Sequence, residues 1–300
     1  MHMQQQQTVA KRFDFIGNGV HLNERTAMSI LPAQSNYGIR FQRLDLDDKP
    51  VICATPNNIS NTQLASSIGT ADFQILTVEH LMSALWGMGI DNALILLDGE
   101  EVPIFDGSAS TFVETLNAVG VKSCGVPRIY LKINEEIKVR HDEQKVSLLP
   151  YDGFKVSYRF DHPDPVFDQY PKYAEVDFNT DSYDVHVAKA RSFGLESELA
   201  EAQAVKRCLG SSLENAVGLS KSGVMNAEGL RYNDEFARHK ILDAIGDLYL
   251  LGLHIIGEFR GEKSGHTLNS QLTQAVLRCP EKWELINSDK DEWGLLQEIA

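Results

Sequence analysis

Apolar residues recur along the chain with two different periods, and the change from one period to the other marks the elements. β-Branched enrichment or strict alternation predicts strands over residues 27–31, 37–43, 93–97, 129–133, 145–149, 155–160 and 253–259. Apolar positions at three- and four-residue steps predict helices over 77–86, 109–118, 197–208 and 234–251. Strands and helices come in mixed order, with no regular strand–helix alternation and no Gly-rich nucleotide fingerprint. That order predicts an α+β fold in preference to a doubly wound sheet.

A break is expected at Ser123-Cys124-Gly125-Val126-Pro127, where turn residues follow a helix and a new strand begins. It divides the chain into an N-terminal domain, 8–125, and a C-terminal domain, 128–288. Each half carries a similar phrase. Val78-Glu79-His80 opens a helix that leads to the strand at 93–97, and Arg238-His239-Lys240 lies on a helix that leads to the strand at 253–259. Two copies of helix-then-strand, each with a histidine on the helix, suggest a duplicated architecture.

Composition narrows the setting. The 300 residues are 43% hydrophobic and 23% charged, an ordinary globular mixture long enough to bury a sizeable core. No run of eighteen apolar residues occurs, so a membrane span is not expected. The start, Met1-His2-Met3 followed by four glutamines, has neither a basic nor an apolar signal region and reads as a frayed tail outside the fold. The four cysteines (Cys53, Cys124, Cys208, Cys279) are far apart and form no CxxC pair, which points to reduced thiols in a cytoplasmic setting. A formal charge of −14 argues against nucleic-acid binding through the general field. An anionic ligand would need cations of its own within the site.

The sharpest local pattern is His239-Lys240-Ile241-Leu242-Asp243-Ala244-Ile245-Gly246-Asp247. Four-residue steps place His239, Asp243 and Asp247 along one helix face, and a histidine one turn from a carboxylate can chelate a divalent metal. Taken alone, the segment also fits a solvated helix face. The apolar flanks Ile241, Leu242, Ile245 and Leu248 leave little room for that, and buried aspartates would require partners. Glu79-His80 alone fits a capped helix start; beside the other helix, His80 would be a third ligand and Glu79 a neighbouring carboxylate. Three protein ligands with an open position form the catalytic zinc arrangement. His266, in the loop Lys263-Ser264-Gly265-His266 after a strand, would be held protonated if Asp247 met it, and would then be a general acid. Spacing does not show that they meet.

Together, Thr77-Val78-Glu79-His80-Leu81, Gly89-Ile90-Asp91-Asn92, Pro103-Ile104-Phe105-Asp106-Gly107-Ser108, the 238–248 helix segment and Lys263-Ser264-Gly265-His266 resemble one family. It is the UDP-3-O-acyl-N-acetylglucosamine deacetylases, and the resemblance runs from about residue 15 to about residue 283. The resemblance implies two similar α+β domains, each a sheet with helices, their helix layers packed face to face between two outer sheets. It implies a Zn2+ cofactor and hydrolysis of the N-acetyl group of a UDP-linked acylated amino sugar, the committed step of lipid A synthesis. His80, His239 and Asp243 match the zinc ligands, Glu79 the general base, His266 the general acid, Asp247 its charge partner, and Lys240 a cation near the developing oxyanion. Ser192, Phe193, Lys263, Lys145 and Phe160 match substrate contacts, and the segment around 185–225 matches an inserted acyl-chain passage.

The resemblance has departures. The family often has Arg-Thr-Phe-Gly where this chain has Arg191-Ser192-Phe193-Gly194, and Gly-Gly-Ser where it has Gly210-Ser211-Ser212. The strand before Phe160 is about two residues shorter than in some relatives, which leaves Lys145 and Phe160 less firmly matched. His21 matches a position near the site mouth without a role. A paralogue acting on a different N-acyl sugar stays open on these changes, and so does a non-catalytic binding relative. The expected partner is the UDP-sugar substrate, with transient membrane proximity only through the lipid product, and the chain is expected to act as a monomer.

Overall fold

The computed structural model describes residues 4–287. Its class is α+β. A five-stranded sheet runs in the spatial order Phe13–Asn18, Arg25–Pro32, Ala93–Leu97, Ile39–Arg43, Val51–Cys53. A seven-stranded sheet runs Ile137–His141, Gln144–Leu149, His254–Glu262, Tyr130–Ile133, Trp283–Ile286, with Phe154–Arg159 also paired to His254–Glu262 and carrying Tyr173–Asp177. The α-helices are α1 (Glu79–Gly87), α2 (Ser110–Val119), α3 (Tyr183–His186), α4 (Glu196–Ala204), α5 (Glu235–Tyr249) and α6 (His266–Arg278). Smaller three-stranded sheets comprise Ile59–Asn61, Ser67–Gly69 and Gln74–Ile75, and Phe193–Leu195, Val217–Ser220 and Gly223–Val224.

The repeated phrase has a structural counterpart. The strand after α1, Ala93–Leu97, lies mid-sheet with Arg25–Pro32 antiparallel on one side and Ile39–Arg43 parallel on the other. The strand after α5, His254–Glu262, likewise pairs antiparallel with Gln144–Leu149 and parallel with Phe154–Arg159. Helices α5 and α6 pack on the seven-stranded sheet, and α1 packs against α5 and α2. Every residue of α5 except Arg238 and Lys240 is buried. Its apolar residues join one continuous core that spans both sheets. Each such side chain contributes about 1.5–3 kcal/mol on burial, so the polar residues of α5 must be paired or serve a purpose.

Several expectations are corrected. The glutamines are not a frayed tail: Gln5–Val9 is a strand paired antiparallel with Val121–Pro127. The side chain of Gln6 is satisfied by Asn36 and Asn92, which makes a polar strand tolerable in a buried place. The same pairing overturns the turn expected at 123–127, which lies within that partner strand. His266 does not sit in a loop but opens α6, whose buried Leu268, Leu272 and Val276 recur at four-residue steps among polar neighbours. Helix α4 ends four residues short of the predicted 208. Residue 288, the expected end of the C-terminal domain, lies outside the described residues.

Candidate metal centre and active site

Two helices build the centre, and one glycine lets them meet. A Cβ on Gly246 of α5 would lie 2.0 Å from the carbonyl oxygen of Glu79, so only glycine allows α1 to begin this close to α5. The approach is fixed from the other side by Thr77, a buried residue with φ +59 whose hydroxyl donates to Glu101 (2.8 Å). A left-handed threonine costs free energy, and here it sits two residues before Glu79 and three before His80.

His80 of α1 and His239 and Asp243 of α5 converge, all buried, with one donor atom from each within 4.8 Å of the others. Asp243 Oδ1 is 3.3 Å from His239 Nε2 and 3.6 Å from His80 Nε2. Donors held about 2.0–2.1 Å from one tetrahedral centre stand about 3.3–3.4 Å apart, so these spacings fit a shared divalent ion. Two further observations support the fit. Asp243 Oδ1 is buried with no hydrogen-bond partner among the described residues, an arrangement that costs free energy unless a cation faces it. His239 Nδ1 lies 3.0 Å from the Ala190 carbonyl, and donating a proton there leaves Nε2 bare toward the cluster. Burial pushes His239 down to about 3, so the ring is neutral, as a ligand must be. Burial opposes ionisation of Asp243, but the positive charge around it, with the Lys240 ammonium 2.9 Å from Oδ2, holds its carboxyl well below the usual range.

Beside the cluster stand a carboxylate and a histidine in opposite states. Burial raises Glu79 to about 7 against the pull of His266 and His80. Its Oε2 accepts the Ser66 backbone N–H (3.0 Å), which leaves Oε1 3.9 Å from His266 Nε2. Burial favours neutral His266, yet the Asp247 carboxylate outweighs it and lifts the ring to about 9. His266 Nδ1 donates to Asp247 Oδ2 (2.9 Å), so Nε2–H points toward Glu79 and toward Asp243, whose Oδ2 is 3.9 Å away. Asp247 also accepts from Ser66 Oγ (2.5 Å) and Asn269 Nδ2 (2.8 Å).

A cavity of about 530 Å3 opens onto these groups. Ser192, Phe193 and Phe160 line it, and Leu195, Leu199, Leu213, Val217 and Met225 supply an apolar surface from the 185–225 segment. Ser192 Oγ is 3.4 Å from His239 Nε2, and the Phe193 ring packs on Phe236 and under the Lys240 ammonium. Buried Arg191, bound to Glu235 and Glu228, fixes this stretch to the start of α5. Neither Lys145 nor Lys263 is among the residues that line the cavity. Lys263 pairs with Glu143 (2.8 Å) and Asp161 (3.0 Å), which raise its pKa, and half-buried Lys145 lies opposite Glu262 across the sheet. Sequence reasoning passed over Ser66, Glu101 and Asn269, and gave His21 no role. Glu101 accepts the backbone N–H groups of His21 and Leu22 and so sets the cavity wall that His21 forms. No local motif marks these residues, because each acts across the fold.

An α+β fold that brings two buried histidines and an aspartate beside a second buried carboxylate and a His–Asp pair has the make-up of a metal-assisted hydrolase site. The comparisons are more specific. The sequence pattern of the family described as UDP-3-O-acyl N-acetylglycosamine deacetylase matches residues 6–278, and the chain belongs to that family. A UDP-3-O-acyl-N-acetylglucosamine deacetylase of Teredinibacter turnerae is 39% identical over 290 residues, 97% of this chain and 96% of the relative. Those of Pseudoalteromonas atlantica (42% over 291 residues, 97% and 96%) and Coxiella burnetii (42% over 284 residues, 95% and 94%) are similar to the same extent. No helix among the described residues is long and apolar enough to cross a membrane.

Proposed function

We propose that this chain is a zinc-dependent amidase that releases acetate from UDP-3-O-acyl-N-acetylglucosamine, and that it acts in the cytoplasm, as a monomer, at the committed step of lipid A synthesis. The observation that carries the reading is the convergence of Glu79, His80, His239, Asp243, Asp247 and His266 in one buried cluster at the cavity. The relatives' names supply the substrate, and we take residues 8–125 and 128–288 as the two domains of the enzyme. The apolar lining from Leu195 to Met225 suits an acyl chain.

In this reading His80, His239 and Asp243 hold the ion, which when bound acts as a Lewis acid and makes water more acidic. A water that attacks the acetamide carbonyl must lose a proton. Glu79, poised at about 7 and buried, accepts it. Negative charge then grows on the carbonyl oxygen, and the Lys240 ammonium is a cation that offsets it. The C–N bond breaks only if nitrogen is protonated, since an amine anion is too basic to leave. His266 donates from Nε2 while Asp247 holds Nδ1–H, giving acetate and a free amine. Ser192 keeps a hydroxyl at the cluster and can hydrogen-bond the intermediate.

Acetate release from UDP-3-O-acyl-N-acetylglucosamine, measured with and without chelator and then with zinc restored, tests the reading. Chelator-sensitive turnover that zinc restores is expected. No turnover by intact, metal-loaded protein would overturn the substrate assignment and favour a paralogue acting on another N-acyl sugar, for which Ser192 and Ser211 at the cavity are the motive.

A further inference from the structure

Ser66 occupies an unusual position between the two proton-handling groups. It is 1% exposed, and every polar group it owns is committed to the centre. Its carbonyl accepts the Val78 N–H (3.1 Å) at the start of α1, its N–H donates to Glu79 Oε2 (3.0 Å), and its hydroxyl donates to Asp247 Oδ1 (2.5 Å). The backbone thus fixes the base, and the side chain reaches the partner of the acid. No other side chain of the described residues donates to Asp247 Oδ1, whereas Oδ2 receives both His266 Nδ1 and Asn269 Nδ2.

We propose that Ser66 is a positioning residue for the reaction, its hydroxyl pinning the Asp247 carboxylate in the rotation that aims His266 Nε2 into the site; the inference rests on the function proposed above. A carboxylate turns about its last bond, and two donors on one oxygen restrain it from one side only, leaving the other oxygen to seek a partner. A third donor on the other oxygen holds the group from both sides. Without the hydroxyl, Oδ1 becomes a buried, unpaired anionic oxygen, which drives the group to turn toward another donor and pulls the His266 ring with it. Ser66→Ala isolates this role, because both backbone contacts of Ser66 survive the change and the base keeps its support.

In the metal-loaded enzyme, Ser66→Ala is expected to lower kcat about tenfold, with KM for the UDP-sugar and zinc content unchanged. Ser66→Thr, which retains the hydroxyl, restores most of the loss. Should threonine prove too large for the buried position, a double-mutant cycle decides. In an Asp247→Asn background, Ser66→Ala should cost no more than about twofold, since its target has already lost its charge. A purely structural serine would show the same loss in both backgrounds, and that result, or an unchanged kcat in the single variant, overturns the proposal. A crystal structure of zinc-loaded Ser66→Ala gives a readout without turnover: a rotated Asp247 carboxylate and a longer His266–Asp247 distance are expected, and an unmoved pair overturns the role. If the wild type releases no acetate from any N-acyl sugar, the proposed function fails, while that structure still decides whether Ser66 sets Asp247.

Discussion

Asp247 offers the most decisive perturbation, because the reading makes it essential to proton delivery and irrelevant to metal binding. Replacing it by alanine leaves His266 buried with no carboxylate at Nδ1. With Asp247 in place the ring titrates at about 9; without it, burial lowers the ring and only the Asp243 and Glu79 carboxylates still oppose that, so it falls toward its ordinary 6.5. The difference of about 2.5 pH units corresponds to about 3 kcal/mol of lost preference for the charged ring. If the full shift is lost, the protonated fraction at pH 7.5 falls from nearly all to about a tenth, so kcat/KM drops by up to about tenfold from protonation alone. Loss of ring orientation adds to this. The sign is definite: an acid must be protonated to act, so the alkaline limb of the pH–rate profile moves to lower pH. A bound dication shifts wild type and variant in the same direction and leaves the difference. The assay is acetate release from pH 5.5 to 9.5, with zinc measured by mass spectrometry on the same samples. Zinc content should hold, since Asp247 is not a ligand. An unmoved alkaline limb, or metal loss with little change in rate, would refute the assignment of Asp247 as the partner of His266.

Three further outcomes are expected. His239→Ala should lose its metal on dialysis, and full occupancy in that variant would show that the ligand set is wrong. Gly246→Ala should cost about 3 kcal/mol or more, since the new methyl meets the Glu79 carbonyl, and should weaken metal binding along with thermal stability; a neutral substitution would mean that α1 and α5 do not touch there. The buried His254 ring is held well below 6.5 by burial and the Arg128 charge. Its folded pKa is depressed, so its contribution to stability is present above pH 6.5 and is lost as pH falls, by about 1.4 kcal/mol per pH unit. Denaturant titrations of wild type and His254→Gln between pH 7.5 and 5 should therefore differ in slope, and parallel curves would exclude this cause.

Legibility in the sequence followed the strength of the local period. The strand at 93–97 and the helices that became α1, α2 and α5 carry clean apolar patterns, and the structure has them within a few residues. The α6 helix was missed because glycine precedes it and its apolar stripe, Leu268, Leu272 and Val276, is thin among Thr, Asn, Ser and Gln. Gln5–Val9 was missed because its amides are satisfied by partners far along the chain. At the site, the shared face of His239, Asp243 and Asp247 follows from helix geometry alone. Their meeting with Glu79 and His80 does not, since it depends on the packing of α1 on α5 at Gly246. The lysines mark the opposite limit: the resemblance and the need for local cations put Lys263 and Lys145 among the candidates, while Lys263 pairs with Glu143 and Asp161 and neither lysine is among the residues that line the cavity.

The ligand cluster draws His80 from the first half of the chain and His239 and Asp243 from the second. Neither half can assemble the trio. During synthesis His80 leaves the ribosome long before its partners exist, so a nascent or prematurely ended chain holds one member of the trio and cannot complete it. Once α5 has docked on α1, an ion shared by the two helices would tie them together. On the proposed function, starving the protein of metal would then loosen the clasp that joins the two halves as well as silence the reaction.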